Sequence, residues 1–301
     1  MNLVETQGLC KRYGSAVALD SVTLEVPAGE PVALIGPNGA GKTTLLSVLC
    51  GYIRVSSGTV SVLGHSPGSQ ALNGRLAALP QDALLDPNQS VGRQLRLFAK
   101  LQGMRRVEAH KDVDRVLECV DLAESIKARP GDLSHGMRKR ISIAQALLGS
   151  PELVLLDEPT AGIDPPNAKL IRDLIRQQST HTTFVVSSHN LDELERLCTQ
   201  VVYLEKGKLI SSGPLAEDTE DQFLTLRMGK IDEPTFLEAV SVLPGVLTIR
   251  RAGQGDYIVE TANDLQASSN IMQLLHEKGW RYRQISCGKT LEERLYGSSM
   301  Q

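Results

Sequence analysis

The sequence predicts an α/β fold with a helical insertion, followed by a small α+β domain. Three observations predict it. An apolar run, Pro31 to Ile35, passes through the glycine-rich stretch Gly36-Pro-Asn-Gly-Ala-Gly-Lys-Thr-Thr44 into a run of helix formers, Leu45 to Cys50. A wholly apolar run, Leu153 to Leu156, ends in Asp157-Glu158-Pro159, as expected for a strand buried on both faces of a parallel sheet. Beyond Gly213-Pro214 the pattern restarts in the order β-α-β-β-α-β, which suggests a ferredoxin-like unit.

The elements follow in order. Residues 2–35 alternate as strands over Leu3–Leu9, Val22–Val26 and Val32–Ile35, punctuated at Gly14, Pro27 and Gly29. Strands are expected at Thr59–Leu63 and Leu76–Leu79, with Gln81 directly after the second. Residues 91–127 carry apolar side chains at helical spacing (Leu95, Phe98, Leu101; Val113, Val116, Leu117, Val120), and this reads as a helical insertion. A helix over Ile141–Leu148 has Ser134 placed as its N-cap. A helix from about Asn167 to Gln178 and a strand at Thr183–Val186 lead to Ser187-Ser188-His189. A hairpin at Val201–Ile210 closes the first domain. In the second, strands are expected at 223–228, 246–251, 256–261 and 280–286, and helices at 234–242 and 264–278, after an acidic linker at 218–221.

The glycine-rich stretch has the G-x-x-x-x-G-K-[ST] spacing in its required strand–loop–helix setting. Gly36, Gly39 and Gly41 let the backbone fold so that successive N–H groups converge on phosphate oxygens, together with Asn38, Ala40 and Thr44 of the same loop. The next helix points its positive end at that anion. Lys42 reaches the β- and γ-phosphates and the Thr43 hydroxyl ligates Mg²⁺. Asp157 is placed to hold the same Mg²⁺, and Glu158 to deprotonate the attacking water. A nucleotide carrying β- and γ-phosphates, and with it Mg²⁺, are therefore the expected ligands. Tyr13, before the Gly14 turn, reads on its own as a half-buried turn tyrosine.

Bulk properties fit this reading. The 301 residues suffice for two domains, and 41% apolar with 22% charged content is ordinary for a soluble protein. A net charge of −3 gives no basic field of the kind that binds nucleic acid. Five scattered cysteines form no C-x-x-C pair, so a reducing cytosol is expected. Met1–Gly8 lacks the pattern of a signal peptide, and no run approaches the ~20 apolar residues of a membrane span.

Taken together, these motifs resemble those of the nucleotide-binding subunit of an ATP-binding cassette (ABC) transporter, over residues 1 to about 213. Leu133-Ser134-His135-Gly136-Met137 resembles the family's signature loop, Leu-Ser-Gly-Gly-Gln. Gln81 resembles the Q-loop glutamine, Ala161-Gly162-Ile163-Asp164 the D-loop and His189 the switch histidine. Tyr13 falls where the family has its adenine-stacking aromatic. The resemblance implies a P-loop NTPase domain over 1–213, with its helical subdomain at about 88–150, and an accessory α+β domain over 214–301. It implies that Gln81 joins Thr43 and Asp157 at Mg²⁺, that Asp164 lies at the nucleotide, and that Lys42, Glu158 and His189 serve hydrolysis. It also implies a homodimer closed by ATP, in which Ser134 and Gly136 of one copy cap the γ-phosphate held by the other.

His135 and Met137 depart from the family's Gly and Gln. Ser-x-Gly-Met-Arg-x-Arg, with the tail Thr290-Leu-Glu-Glu-Arg-Leu-Tyr296, resembles the type-2 exporter branch. That implies an ATPase that powers export through a separate transmembrane permease, peripheral on the cytoplasmic face of the cell membrane. The alternatives are the ATPase of a ligand-regulated importer and a non-transport ABC ATPase.

Overall fold

The first two strands run past the ends that alternation alone indicates. In the computed structural model, which describes residues 2–215, 222–252, 255–262 and 265–288, strand β1 spans Asn2–Tyr13 and β2 spans Ala16–Pro27. Several register shifts interrupt their pairing, so the period-2 pattern breaks at residues 10–13 and 16–21 although the hydrogen-bonded ladder continues. With β4 (Ser57–Val62) they form a three-stranded antiparallel sheet, ordered β2-β1-β4.

The chain divides into two units, Met1–Pro214 and Leu215–Gln301. The first is organised on a six-stranded sheet ordered β5-β6-β7-β3-β8-β9. Its strands are β3 (Val32–Ile35), β5 (Leu76–Leu79), β6 (Leu153–Asp157), β7 (Thr183–Ser187), β8 (Gln200–Glu205) and β9 (Lys208–Pro214). All pair in parallel except β9, which turns back antiparallel on β8. Every residue of β3, β6 and β7 is buried, which is why Val32–Ile35, Leu153–Leu156 and Phe184–Val186 read as apolar runs without alternation. Helix α1 (Lys42–Leu49) packs Leu45 and Leu49 into a core shared with Leu34 and Leu155 of this sheet and with Val4 and Val22 of the antiparallel one.

The insertion holds α2 (Val91–Leu101), α3 (Arg106–Cys119) and α4 (His135–Ala146) around the fully buried Leu95, Val113, Val116, Leu117, Ile141 and Ile143. The expected helix does not run on to residue 127. Asp121 takes a left-handed conformation (φ 56°), which ends α3, and Ala123–Lys127 is a separate 3₁₀ turn. Helix α4 begins at His135, directly after the expected N-cap Ser134, so most of the signature loop is its first turn. Helix α5 (Pro165–Gln178) starts before Asn167, and α6 (Leu191–Leu197) follows β7.

The second unit contains β10 (Phe223–Met228), α7 (Glu233–Ser241), β11 (Val246–Arg251), β12 (Asp256–Thr261), α8 (Leu265–Glu277) and β13 (Tyr282–Cys287). Its four strands are antiparallel, ordered β11-β12-β10-β13. Phe236 is fully buried and meets Tyr257 and Trp280 edge-on, with ring centroids 4.8 and 5.3 Å away. Phe236→Ala should cost this unit about 3–5 kcal/mol. Denaturant unfolding followed by the fluorescence of Trp280, the sole tryptophan, checks this: an unchanged midpoint would contradict it. The acidic linker at 218–221 and the tail at 290–296 lie outside the described residues.

Candidate functional site

Three parallel strands deliver their carboxyl ends to one sheet edge. The glycine-rich loop follows β3, Asp157 ends β6, and Ser187 ends β7, two residues before His189. Ser187 pairs in register with Leu34 on one side and Asp157 on the other, so it stands between the loop strand and the acid. Open α/β sheets place their ligands at such an edge.

The loop is held by close backbone approach. A side chain at Gly36 would bring its Cβ within 2.2 Å of the Leu204 carbonyl oxygen, and one at Gly41 within 2.7 Å of the Ala18 oxygen. Gly41 is the N-cap of α1 at φ 105° and brings no capping side chain. The leading N–H groups of α1 are therefore left for an anion. Lys42 is buried, and its Nζ donates to the carbonyls of Gly36 at 2.6 Å and Pro37 at 3.3 Å. Ala40 is buried, Asn38 and Gly39 are exposed, and Thr44 is half-buried in the first turn.

The acids are fixed from both sides. Thr43 Oγ1 donates to Asp157 Oδ2 at 2.8 Å, and Ser187 Oγ donates to Asp157 Oδ1. Glu158 is buried and stands at φ 50°, a conformation a non-glycine residue keeps only where its surroundings impose it. Its N–H donates to Ser187 Oγ at 2.9 Å, and its Oε2 lies 2.9 Å from His189 Nδ1. Downstream, Glu193 of α6 accepts from Thr160 at 2.6 Å and from Arg172 of α5 at 2.9 Å, which ties the residue before the D-loop, and the helix after it, to the helix after His189.

Thr43 and Asp157 offer two hard oxygen donors side by side. That set fits Mg²⁺, which is commonly bound through one or two protein oxygens and completes its shell with water and phosphate. Among the described residues no cluster of three or more His, Cys, Asp or Glu is poised for a metal. Gln81 is not brought into this pair: its side chain is exposed, and its main-chain carbonyl accepts from Lys139 Nζ at 3.2 Å. Burial pushes the Lys139 ammonium below the ordinary lysine range, and the charges of Asp82, Asp157 and Glu158 oppose that shift.

Ser134 caps α4, its Oγ accepting from Met137 N at 3.2 Å. Gly136 packs against Asn167, and an added Cβ would lie 2.5 Å from Asn167 Cγ. Asn167 in turn donates to Asp164 through Nδ2 at 2.8 Å and through its N–H at 3.4 Å. These bonds hold the Asp164 carboxyl below its ordinary range. Ser134 and Gly136 make no hydrogen bond to the glycine-rich loop of their own chain among the described residues. Tyr13 is 51% exposed at the end of β1, with Lys11 Nζ 4.9 Å from its ring centroid. Its strand partner is Ala16, two residues from the Ala18 that abuts Gly41.

Sequence reasoning missed Ser187, Asn167, Glu193 and Lys139. Only Ser187 left a trace, as a hydroxyl ending an apolar strand beside His189.

A strand–loop–helix phosphate cradle beside an acid-ended strand defines a P-loop ATPase. The ABC transporter family profile matches residues 19–161. The Nod factor export ATP-binding protein I of Burkholderia lata is 35% identical over 213 residues, covering 70% of this chain and 70% of that protein. The linearmycin resistance ATP-binding protein of Bacillus subtilis is 30% identical over 283 residues, covering 92% and 87%. A solved ATP-binding subunit of an ABC transporter superposes with a TM-score of 0.64 at 30% identity, covering 71% of this chain and 90% of that one. The chain belongs to the ABC transporter family, as an ATP-binding subunit with ATPase activity.

Proposed function

We propose that this chain hydrolyses Mg²⁺-bound ATP to power export through a separate transmembrane permease, on the inner face of the cell membrane. The carrying observation is the hydrogen-bonded series Thr43–Asp157–Ser187–Glu158–His189 along one sheet edge. The two relatives named for Nod factor export and linearmycin resistance support the direction of transport.

In this reading Lys42 and the N–H groups of the loop bind the phosphates, and the ring of Tyr13 takes the adenine. Thr43 and Asp157 hold Mg²⁺, which offsets phosphate charge when bound; Gln81 joins them only if its side chain turns inward. Glu158 accepts a proton from water as the water oxygen bonds to the γ-phosphorus, and the bond to the β–γ bridging oxygen breaks. His189 holds the Glu158 carboxylate in place. Ser134 and Gly136, apart from their own cradle, supply a hydroxyl and an N–H to the γ-phosphate of a second copy, and Asp164 steadies that loop through Asn167. ATP then closes a homodimer and hydrolysis opens it, a two-state element that can drive mechanical work.

No helix of the described residues is long and apolar enough to cross a membrane. The permease would seat on the face where an open cleft of about 220 Å³ is lined by Tyr52, Leu72, Ala77, Leu101 and Gln102. Tyr52 and Leu101, at 69% and 72% exposure, are apolar side chains left in water there, and Leu84, 93% exposed, follows Gln81 by three residues. Photo-cross-linkers at positions 84 and 101 should capture a membrane protein in vesicles made from the source cells. Capture only from positions 215–301 would move the interface to the second unit.

A further inference from the structure

Lys139 has no part in the chemistry described so far, yet it bridges two parts of the first unit. It lies on α4, five residues past Ser134, about 7.5 Å along the helix at 1.5 Å per residue. Its Nζ donates to the carbonyl of Gln81, across 58 residues of sequence, at the point where the chain leaves β5. The helical insertion is thereby fastened to the sheet edge that carries the acids.

The surroundings explain why a cation stands there. Half-burying and ordering a lysine costs solvation and side-chain entropy. One carbonyl offsets part of that cost, and the carboxylates of Asp82, Asp157 and Glu158 lie within Coulombic reach of the ammonium. The site's other buried ammonium, Lys42, is taken up by the carbonyls of Gly36 and Pro37. A neutral residue at 139 would leave the Gln81 carbonyl without this donor and the acidic edge without this charge.

We propose that Lys139 is a positioning residue that pins the Gln81 peptide to the signature helix, so that the Q-loop and Ser134 move together. The proposal rests on reading the Asp157–Glu158 edge as the ATP site. The Gln81 side chain then swings from a fixed peptide rather than a free loop. Any displacement of Gln81 on nucleotide binding passes through the ammonium into α4, and reaches Ser134 at the helix start.

Lys139→Met keeps a straight aliphatic chain and removes the charge and donors, and Lys139→Arg restores both. Loss of one charged hydrogen bond, on the scale of about a tenfold change in rate, sets the expectation for the Met variant. Its kcat should fall about tenfold while its KM for Mg²⁺–ATP stays within about twofold. Hydrogen exchange at the amides of residues 82–85 should quicken with no global change, and the Arg variant should recover most of both effects. Wild-type kcat and exchange in the Met variant would overturn the proposal. So would an equal loss in the Arg variant, or exchange raised throughout the chain, either of which marks a merely structural role. Isothermal titration of the wild-type chain with Mg²⁺–ATP separates the two levels of the reading. No binding there removes the ATP site itself, whereas normal binding with an unaffected Met variant removes only Lys139.

Discussion

Glu158→Gln is expected to bind ATP as the wild type does and to turn it over ~10²–10⁴-fold more slowly, the contribution of a general base. The substitution is nearly isosteric, and what fixes the residue is its backbone: the N–H to Ser187 and the left-handed turn at φ 50°. Neither depends on the carboxylate. A glutamine can also remain beside His189, so the cradle and the Thr43–Asp157 pair should persist. What is lost is an acceptor for the proton of water. With ATP and Mg²⁺ the variant should accumulate as a closed homodimer, because in the proposed arrangement Ser134 and Gly136 keep the anion they would grip. Size-exclusion chromatography with light scattering reads this directly. A variant that binds ATP normally yet stays monomeric would sink the two-copy arrangement, and turnover at the wild-type rate would take Glu158 out of the chemistry.

Lys42→Ala should weaken ATP binding by roughly two orders of magnitude, as expected for losing charge-assisted hydrogen bonds of about 1.5–3 kcal/mol. The loss has a second source. The Lys42 ammonium satisfies the carbonyls of Gly36 and Pro37, so alanine also loosens the loop that aims the N–H groups. Isothermal titration measures the affinity, and circular dichroism confirms that the variant is folded. Affinity equal to wild type would show that the backbone and helix end carry the phosphates alone.

Much of the cradle and the acid-ended strand was legible because their chemistry is written in contiguous residues. Gly36 to Thr44 and Leu153 to Glu158 each combine a periodicity, a breaker and a reactive group within one short window. The partners that hold those groups were not legible. Ser187 reaches Asp157 because β7 lies beside β6 in register, a fact of sheet order rather than of local sequence. Lys139, Asn167 and Glu193 act across 58, 31 and 33 residues respectively, and each sits in a helix where a polar residue is unremarkable. Gln81 shows the converse: its place after β5 marks the Q-loop, while its side chain faces solvent and only its carbonyl is engaged. The ends of β1, β2 and α3 escaped because bulges and a left-handed aspartate break simple periods.

The cap at Ser134 sets a chemical condition on which residues this position can take. Its oxygen holds the start of α4 by accepting a hydrogen bond from the Met137 N–H, and this leaves the hydroxyl hydrogen uncommitted. Aspartate and asparagine would start the helix equally well. Aspartate, however, would turn a negative charge toward an incoming phosphate, and asparagine would project a bulkier amide in place of a compact donor. An alcohol can spend a lone pair inward and a proton outward at the same time. In the proposed two-copy arrangement, the atom that begins α4 is thus the atom with which one copy would grip the nucleotide of the next, and a chain whose α4 frays at that end would lose its adhesive surface as well.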